Sequence, residues 1–128
     1  MADSDYYPIY DFLFVTGDYV KRSVLFEDPD PGSPDPENPV MIPRDFTGWT
    51  ARAQVRANTK RETEILATFT VTVGDVDPTD GYIVLELPEL ESEKCIKKCG
   101  WDLELTNPAG EAETVLGGFV IPKLDYTR

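Results

Sequence analysis

Histidine does not occur in this chain, which removes the commonest general base and the commonest metal ligand together. Any enzyme chemistry would fall to carboxylates, Lys, Tyr or Cys. Cysteine is scarce as well, with only Cys95 and Cys99. A CxxxC pair is half a zinc site, and there is neither a second pair nor a histidine to complete four ligands in one chain. The surrounding segment PELESEKCIKKCG has the composition of a short helix, predicted over Glu89–Lys98, with acids first and lysines last as the helix dipole favours. Two cysteines at i,i+4 share a helix face but are poorly disposed for a disulfide dihedral, so their expected role is packing. Long apolar runs are missing too. None approaches the ~18 residues of a membrane span, and the N-terminal stretch lacks a basic region followed by an apolar core and a cleavage site. The expectation is a soluble chain made in a cytoplasm, with no export signal and no membrane partner.

Positive charge is the other shortage. Twelve Lys and Arg face 24 Asp and Glu, for a net charge of −12. Residues 1–39 hold nine acids and two bases, residues 40–73 three acids and five bases, and residues 74–128 twelve acids and five bases. The middle is the only basic part. Phosphate-backbone binding depends on clustered Lys and Arg that release counterions, so no nucleic-acid partner is expected. Arg52, Arg56, Lys60 and Arg61 are suited either to an acidic surface on a neighbouring subunit or to a solvated strand face.

What the chain does have is alternation. Trp101, Leu103 and Leu105 point one way and Asp102, Glu104 and Thr106 the other, the two-residue period of a strand with one buried and one wet face. The turn Asn107-Pro108-Ala109-Gly110 leads into a second strand over Thr114 to Ile121, where Gly117 and Gly118 permit a bulge. Trp49, Ala51, Ala53, Val55 and Ala57 alternate with polar residues, and the small alanines imply close approach of an opposing sheet. Ile65, Ala67, Phe69, Val71 and Val73 do the same, and the loop Asn58 to Thr63 makes the two an antiparallel pair. Ile83, Leu85 and Leu87 line another strand, closed by Pro88. Earlier strands are predicted over Ile9 to Val15, Tyr19 to Phe26 and Val40 to Ile42, with Arg22 marking the second as an edge or partly wet strand. Short strands at regular spacing with one small corner helix predict an all-β chain folded as a two-sheet sandwich. At 128 residues one domain is expected, burying roughly two-thirds of the surface its unfolded form exposes.

Three polar segments interrupt this pattern. Residues 1–10 (MADSDYYPIY) read as an extended N-terminal arm ordered only if it docks, leaving residues 11–128 as the sandwich domain. The segment EDPDPGSPDPENP carries five prolines, each without a backbone donor, and predicts an unpaired insertion loop over residues 28–39. Neither it nor GDVDPTDG, with Asp75, Asp77 and Asp80, has the oxygen-ligand spacing of a calcium loop. No metal and no cofactor is expected. Close carboxylate pairs such as Glu86 with Glu89, or Asp102 with Glu104, arise by chance in so acidic a chain, and the latter pair is expected on a solvated strand face, away from any cleft. The chain is read as no enzyme.

From Phe46 onward the order of features resembles a family of small immunoglobulin-like proteins of tailed bacteriophages, related to the N-terminal domain of phage baseplate upper proteins. The matching residues are Asp45-Phe46-Thr47-Gly48-Trp49-Thr50-Ala51-Arg52 leading into Gln54-Val55-Arg56, then Gly81-Tyr82-Ile83-Val84-Leu85. They continue with Trp101-Asp102-Leu103-Glu104-Leu105-Thr106, the Pro108/Gly110 turn, Gly118-Phe119-Val120 and the Thr127-Arg128 ending. The Gly17-Asp18 turn and Phe26-Glu27-Asp28 look like the family's opening hairpin, so the likeness spans most of residues 17–128. It departs from the family at the Pro-rich insertion, at the Cys95/Cys99 helix and at the arm. The resemblance implies an immunoglobulin-like sandwich and a place in the virion, assembled in the host cytoplasm, as an adaptor at the tail, baseplate or fibre attachment.

In that role the partners are other virion proteins and further copies of the chain in a symmetric homo-oligomer, with unlike patches meeting head to tail. Capsid decoration is the alternative reading, and a host-glycan module stacking sugars on Tyr6, Tyr7 and Tyr10 is a third. The contact candidates are exposed, unusual residues that no core explains: Tyr6, Tyr7 and Tyr10 in the arm, Asp30 and Glu37 in the loop, Arg52 and Arg56 on the basic strand.

Overall fold

Ten strands and a single helical turn make up the computed structural model, which describes residues 8–57 and 64–123. The strands are β1 (Phe12–Val15), β2 (Val20–Leu25), β3 (Glu27–Pro29), β4 (Met41–Pro43), β5 (Thr50–Arg56), β6 (Ile65–Thr68), β7 (Thr70–Val73), β8 (Tyr82–Leu87), β9 (Cys99–Thr106) and β10 (Ala112–Lys123), with α1 (Glu89–Ser92) between β8 and β9. The chain is all-β, as its alternating periodicity requires. A five-stranded sheet runs β1-β10-β9-β5-β6, a three-stranded sheet runs β2-β8-β7, and β3 pairs with β4 in a separate ribbon. Every pairing is antiparallel except β1 with β10, which is parallel with Phe12 opposite Val120. Among the described residues no helix is long and apolar enough to cross a membrane.

The inward faces of the two larger sheets contribute to one core. Phe12, Ala53, Val55, Trp101, Leu103, Leu105 and Val120 come from the first sheet, and Val20, Ile83, Leu85 and Leu87 from the second. Ala53 has no exposed surface, and its carbonyl accepts the Phe69 N–H at 3.0 Å where the chain crosses from β6 to β7. That crossing is a departure from the sequence reading. The alternation from Ala67 to Val73 is unbroken, yet β6 pairs with β5 in one sheet and β7 with β8 in the other. Buried Phe69 sits at the switch, and its face is the same in both sheets, so periodicity could not reveal the change of partner. The loop predicted over Asn58 to Thr63 lies outside the described residues. The bulge also moves: the ladder of β9 and β10 slips between Thr114 and Leu116, while Gly117 and Gly118 stay in register with Asp102 and Trp101.

Two further expectations need correction. The Pro-rich segment does pair at its start, with Glu27 opposite Pro43, Asp28 opposite Ile42 and Pro29 opposite Met41. Its prolines are tolerated because a two-stranded ribbon has an open edge on each side, where no donor is needed. The helix predicted to Lys98 stops at Ser92, because tertiary bonds claim its residues. Buried Ser92 Oγ accepts the Gly17 N–H at 3.0 Å, Thr16 Oγ1 donates to the Cys95 carbonyl at 2.8 Å, and Glu91 accepts the Thr68 N–H at 2.9 Å. No basic residue occupies the last turn. Cys99 opens β9, so the cysteines share no helix face; both are free and buried in the core.

The turn GDVDPTDG is closed by its own carboxylates. Asp80 Oδ2 accepts the Asp75 and Val76 N–H groups at 2.9 and 2.7 Å, and Oδ1 accepts the Tyr82 N–H at 3.0 Å. These donors, led by Val76 and then Tyr82, hold the Asp80 pKa below its ordinary 3.8. A carboxyl whose folded pKa is depressed contributes stability above its unfolded pKa and loses it as pH falls through the folded value. Thermal midpoints measured from about pH 6 down to about pH 3 are therefore expected to fall. Asp80→Ala should lower the midpoint at the upper end and flatten the acid limb; parallel curves for the two proteins would overturn this.

Candidate interaction surfaces

The five contact candidates among the described residues do not gather into one patch. Tyr6 and Tyr7 lie outside the described residues. Tyr10 is corrected from exposed arm residue to part of the fold: its ring stands edge-on to Phe12 at 5.1 Å and to Trp101 at 6.3 Å, and its carbonyl accepts the Trp101 Nε1–H at 2.7 Å. The chain before β1 is already bonded to the sheet, with the Tyr10 N–H on the Gly117 carbonyl at 2.8 Å and Ile9 bridged to Gly117. Residues 8–10 thus belong to the β1 edge and are no free arm.

Arg52 and Arg56 share the outward face of β5, but their charge is engaged within the chain. Arg52 stands opposite Glu104 on β9 and donates to it at 3.0 Å, while Arg56 is half-buried and reaches Gln54 at 3.4 Å. The Arg52 side chain keeps 60% of its surface, so the pair is a screened surface ion pair worth under about 1 kcal/mol. Arg52→Ala is expected to move the unfolding midpoint in urea by no more than that; a larger loss would mark a network beyond the pair.

Asp30 and Glu37 sit in an ordered loop. Asp30 Oδ1 accepts the Gly32 N–H at 2.9 Å, its carbonyl accepts the N–H and Oγ–H of Ser33, and Ser33 Oγ in turn accepts the Val40 N–H at 2.8 Å. Glu37 is exposed, and its N–H donates to Asp35 Oδ1 at 3.0 Å. Asn38 first, and then the Glu37 amide, hold the Asp35 carboxyl below its ordinary range.

Sequence reasoning missed the root of this ribbon. Arg44 grips Asp28 through Nε and Nη2, at 2.9 Å for the shortest contact, and its guanidinium lies 5.7 Å from the Phe26 ring and 5.8 Å from the Phe46 ring. Phe46 is fully buried and meets Phe26 edge-on at 5.7 Å. The Arg44 N–H donates to the Phe26 carbonyl and the Phe26 N–H to the Gly81 carbonyl, so the ribbon is tied to the end of β8. Its far part is bare: Val40, Met41 and Ile42 are all exposed. The available signal was three consecutive apolar residues with no alternation beside an acidic loop. A second bare strip, Leu13, Phe119 and Ile121, lies where β1 meets β10, with the Lys98 ammonium 4.0 Å from the centre of the Phe119 ring.

Among the described residues no group of three or more Cys, Asp or Glu could hold a metal ion. Burial first, and then the charge of Cys99, push the Cys95 thiol up to about 12, and burial raises Cys99 as well. Native protein at about pH 8 should therefore leave both thiols unreactive to an aromatic disulfide reagent, with two reacting on unfolding. Fast labelling of the native chain would contradict this burial. Glu86 accepts the Tyr19 hydroxyl and Glu104 pairs with Arg52, so these carboxylates serve cross-strand contacts. Compared with known proteins, the chain matches no family model and no curated sequence.

Proposed function

We propose that this chain is a non-enzymatic structural protein of a tailed-phage virion, an adaptor at the tail, baseplate or fibre attachment that works through protein–protein contacts. The observation that carries the reading is the strand order. A five-stranded sheet whose first strand runs parallel to its last, β1-β10-β9-β5-β6, shares a core with β2-β8-β7, and the helical corner falls between β8 and β9. That order supports reading the chain as an immunoglobulin-like sandwich, the fold that the resemblance over residues 17–128 implies, and such a fold offers function through its surfaces. Supporting it are two exposed apolar surfaces, the ribbon end and the β1–β10 strip, on a chain otherwise rich in charge.

The test is co-purification. A tagged copy expressed during phage growth is expected to sediment with intact particles, at tens of copies per particle and located at the tail by labelled-antibody microscopy. Hundreds of copies spread over the shell would replace the adaptor reading with capsid decoration, and absence from particles would overturn both.

A further inference from the structure

We infer that copies of this chain associate head to tail, the acidic apolar ribbon end of one seating on the lysine-rimmed apolar strip of the next. This deepens the assembly role proposed above and rests on it. On the ribbon, Val40, Met41 and Ile42 are 56%, 46% and 39% exposed. Around them the charge has one sign: no Lys or Arg occurs from Ser23 to Pro43, whereas Glu27, Asp35 and Glu37 are exposed, and Arg44 is spent on Asp28. On the strip, Leu13 is 63% exposed and stands directly across from Ile121, with Phe119 two residues before Ile121 on the same face. Two lysines stand on its rim, Lys98 over Phe119 and exposed Lys123 two residues past Ile121 on that face, against one exposed carboxylate, Asp11. Asp11 beside it uses Oδ1 to accept the Phe119 N–H at 2.8 Å.

Like cannot meet like here. Ribbon against ribbon would set carboxylates on carboxylates, and strip against strip lysines on lysines, each a repulsive juxtaposition at the edge of an apolar contact. Ribbon on strip sets Val40 and Ile42, two residues apart on one side of the ribbon, against Leu13, Phe119 and Ile121 with opposite charges around them, and such a heterologous contact leaves one free ribbon and one free strip, so it repeats into a ring or a filament. The contact is made by side chains, because Pro29, Pro39 and Pro43 strip donors from a ribbon of three-residue strands and deny it a regular strand-to-edge ladder. The Arg44 clamp at its root fixes the ribbon before it meets a neighbour, lowering the ordering cost of association.

Sedimentation velocity of the whole chain from micromolar to submillimolar concentration tests this, with a ribbon variant, Val40→Lys/Ile42→Lys, and a strip variant, Leu13→Glu/Ile121→Glu. The wild-type chain is expected to grow beyond a monomer with concentration and each variant alone to weaken that by roughly tenfold or more. Mixed in equal amounts, the variants should form a dimer and stop, since one intact ribbon meets one intact strip. A monomeric wild type, a ribbon variant that associates like wild type, or a mixture that stays monomeric would overturn the contact. If a variant loses its native circular dichroism, the charge pair decides instead: Glu27→Lys/Glu37→Lys and Lys98→Glu/Lys123→Glu should each weaken association and together restore it, and failure to restore would overturn the proposal. Association without particle co-sedimentation would sink the virion role alone, while co-sedimentation of a monomeric chain would sink this contact alone.

Discussion

Phe12→Ala is expected to cost about 3–5 kcal/mol of unfolding free energy, the largest effect of any single substitution in β1. The ring is 1% exposed and sits at the centre of an aromatic group, 4.7 Å from Trp101, 5.1 Å from Phe69 and 5.1 Å from Tyr10 between ring centres. Those four side chains come from β1 and its lead-in, from β9 and from the crossing between β6 and β7. Removing the middle one opens a cavity that none can fill without leaving its strand. Urea unfolding followed by tryptophan fluorescence reads both the loss and the changed surroundings of Trp101. Phe12→Leu should recover more than half of the loss, and a cost below about 1 kcal/mol for Phe12→Ala would show that β1 is not anchored through this ring.

Gly118→Ala is expected to cost about 1–3 kcal/mol, although it adds a single methyl group. A Cβ at Gly118 would lie 2.6 Å from the Tyr10 carbonyl oxygen and 2.6 Å from Asp11 Oδ1, so the backbone before β1 must withdraw. That carbonyl is the acceptor for Trp101 Nε1–H, and Asp11 Oδ1 is the acceptor for the Phe119 N–H, so both bonds are strained by the same atom. Hydrogen exchange should report faster exchange of the Tyr10 amide, which bonds to Gly117, with the amides of β9 against β5 unchanged. Exchange that rises evenly through the five-stranded sheet would show a global loss instead of local detachment.

The inward residues of the central strands were legible from the sequence because alternation records burial directly. Ala53, Val55, Leu103, Leu105, Ile83, Leu85 and Leu87 are all fully buried, and β2, interrupted by Arg22, does lie at a sheet edge. What alternation cannot record is partnership. Phe69 keeps the same face while its strand changes sheets, and Tyr10 reads as a polar-arm tyrosine although Trp101 binds its carbonyl from 91 residues away. The Glu89–Lys98 helix failed for a related reason: composition favoured it, but Ser92 and Glu91 are committed to Gly17 and Thr68, which local propensity does not see. Of the candidate contacts, Asp30 and Glu37 fall beside an exposed surface, while Arg52 on the basic strand stands opposite Glu104 with most of its side chain still exposed. The ribbon end and the β1–β10 strip escaped notice because each is assembled from segments that only the fold brings together.

The parallel pairing of β1 with β10 has a consequence for synthesis. Val120 stands 108 positions after Phe12, so β1 has no sheet partner until β10 has been made. During elongation the run Phe-Leu-Phe-Val is an unsatisfied, uncharged β-former, the kind of segment that pairs wrongly when crowded. Closure of the larger sheet is thus a high-contact-order event that waits for β10.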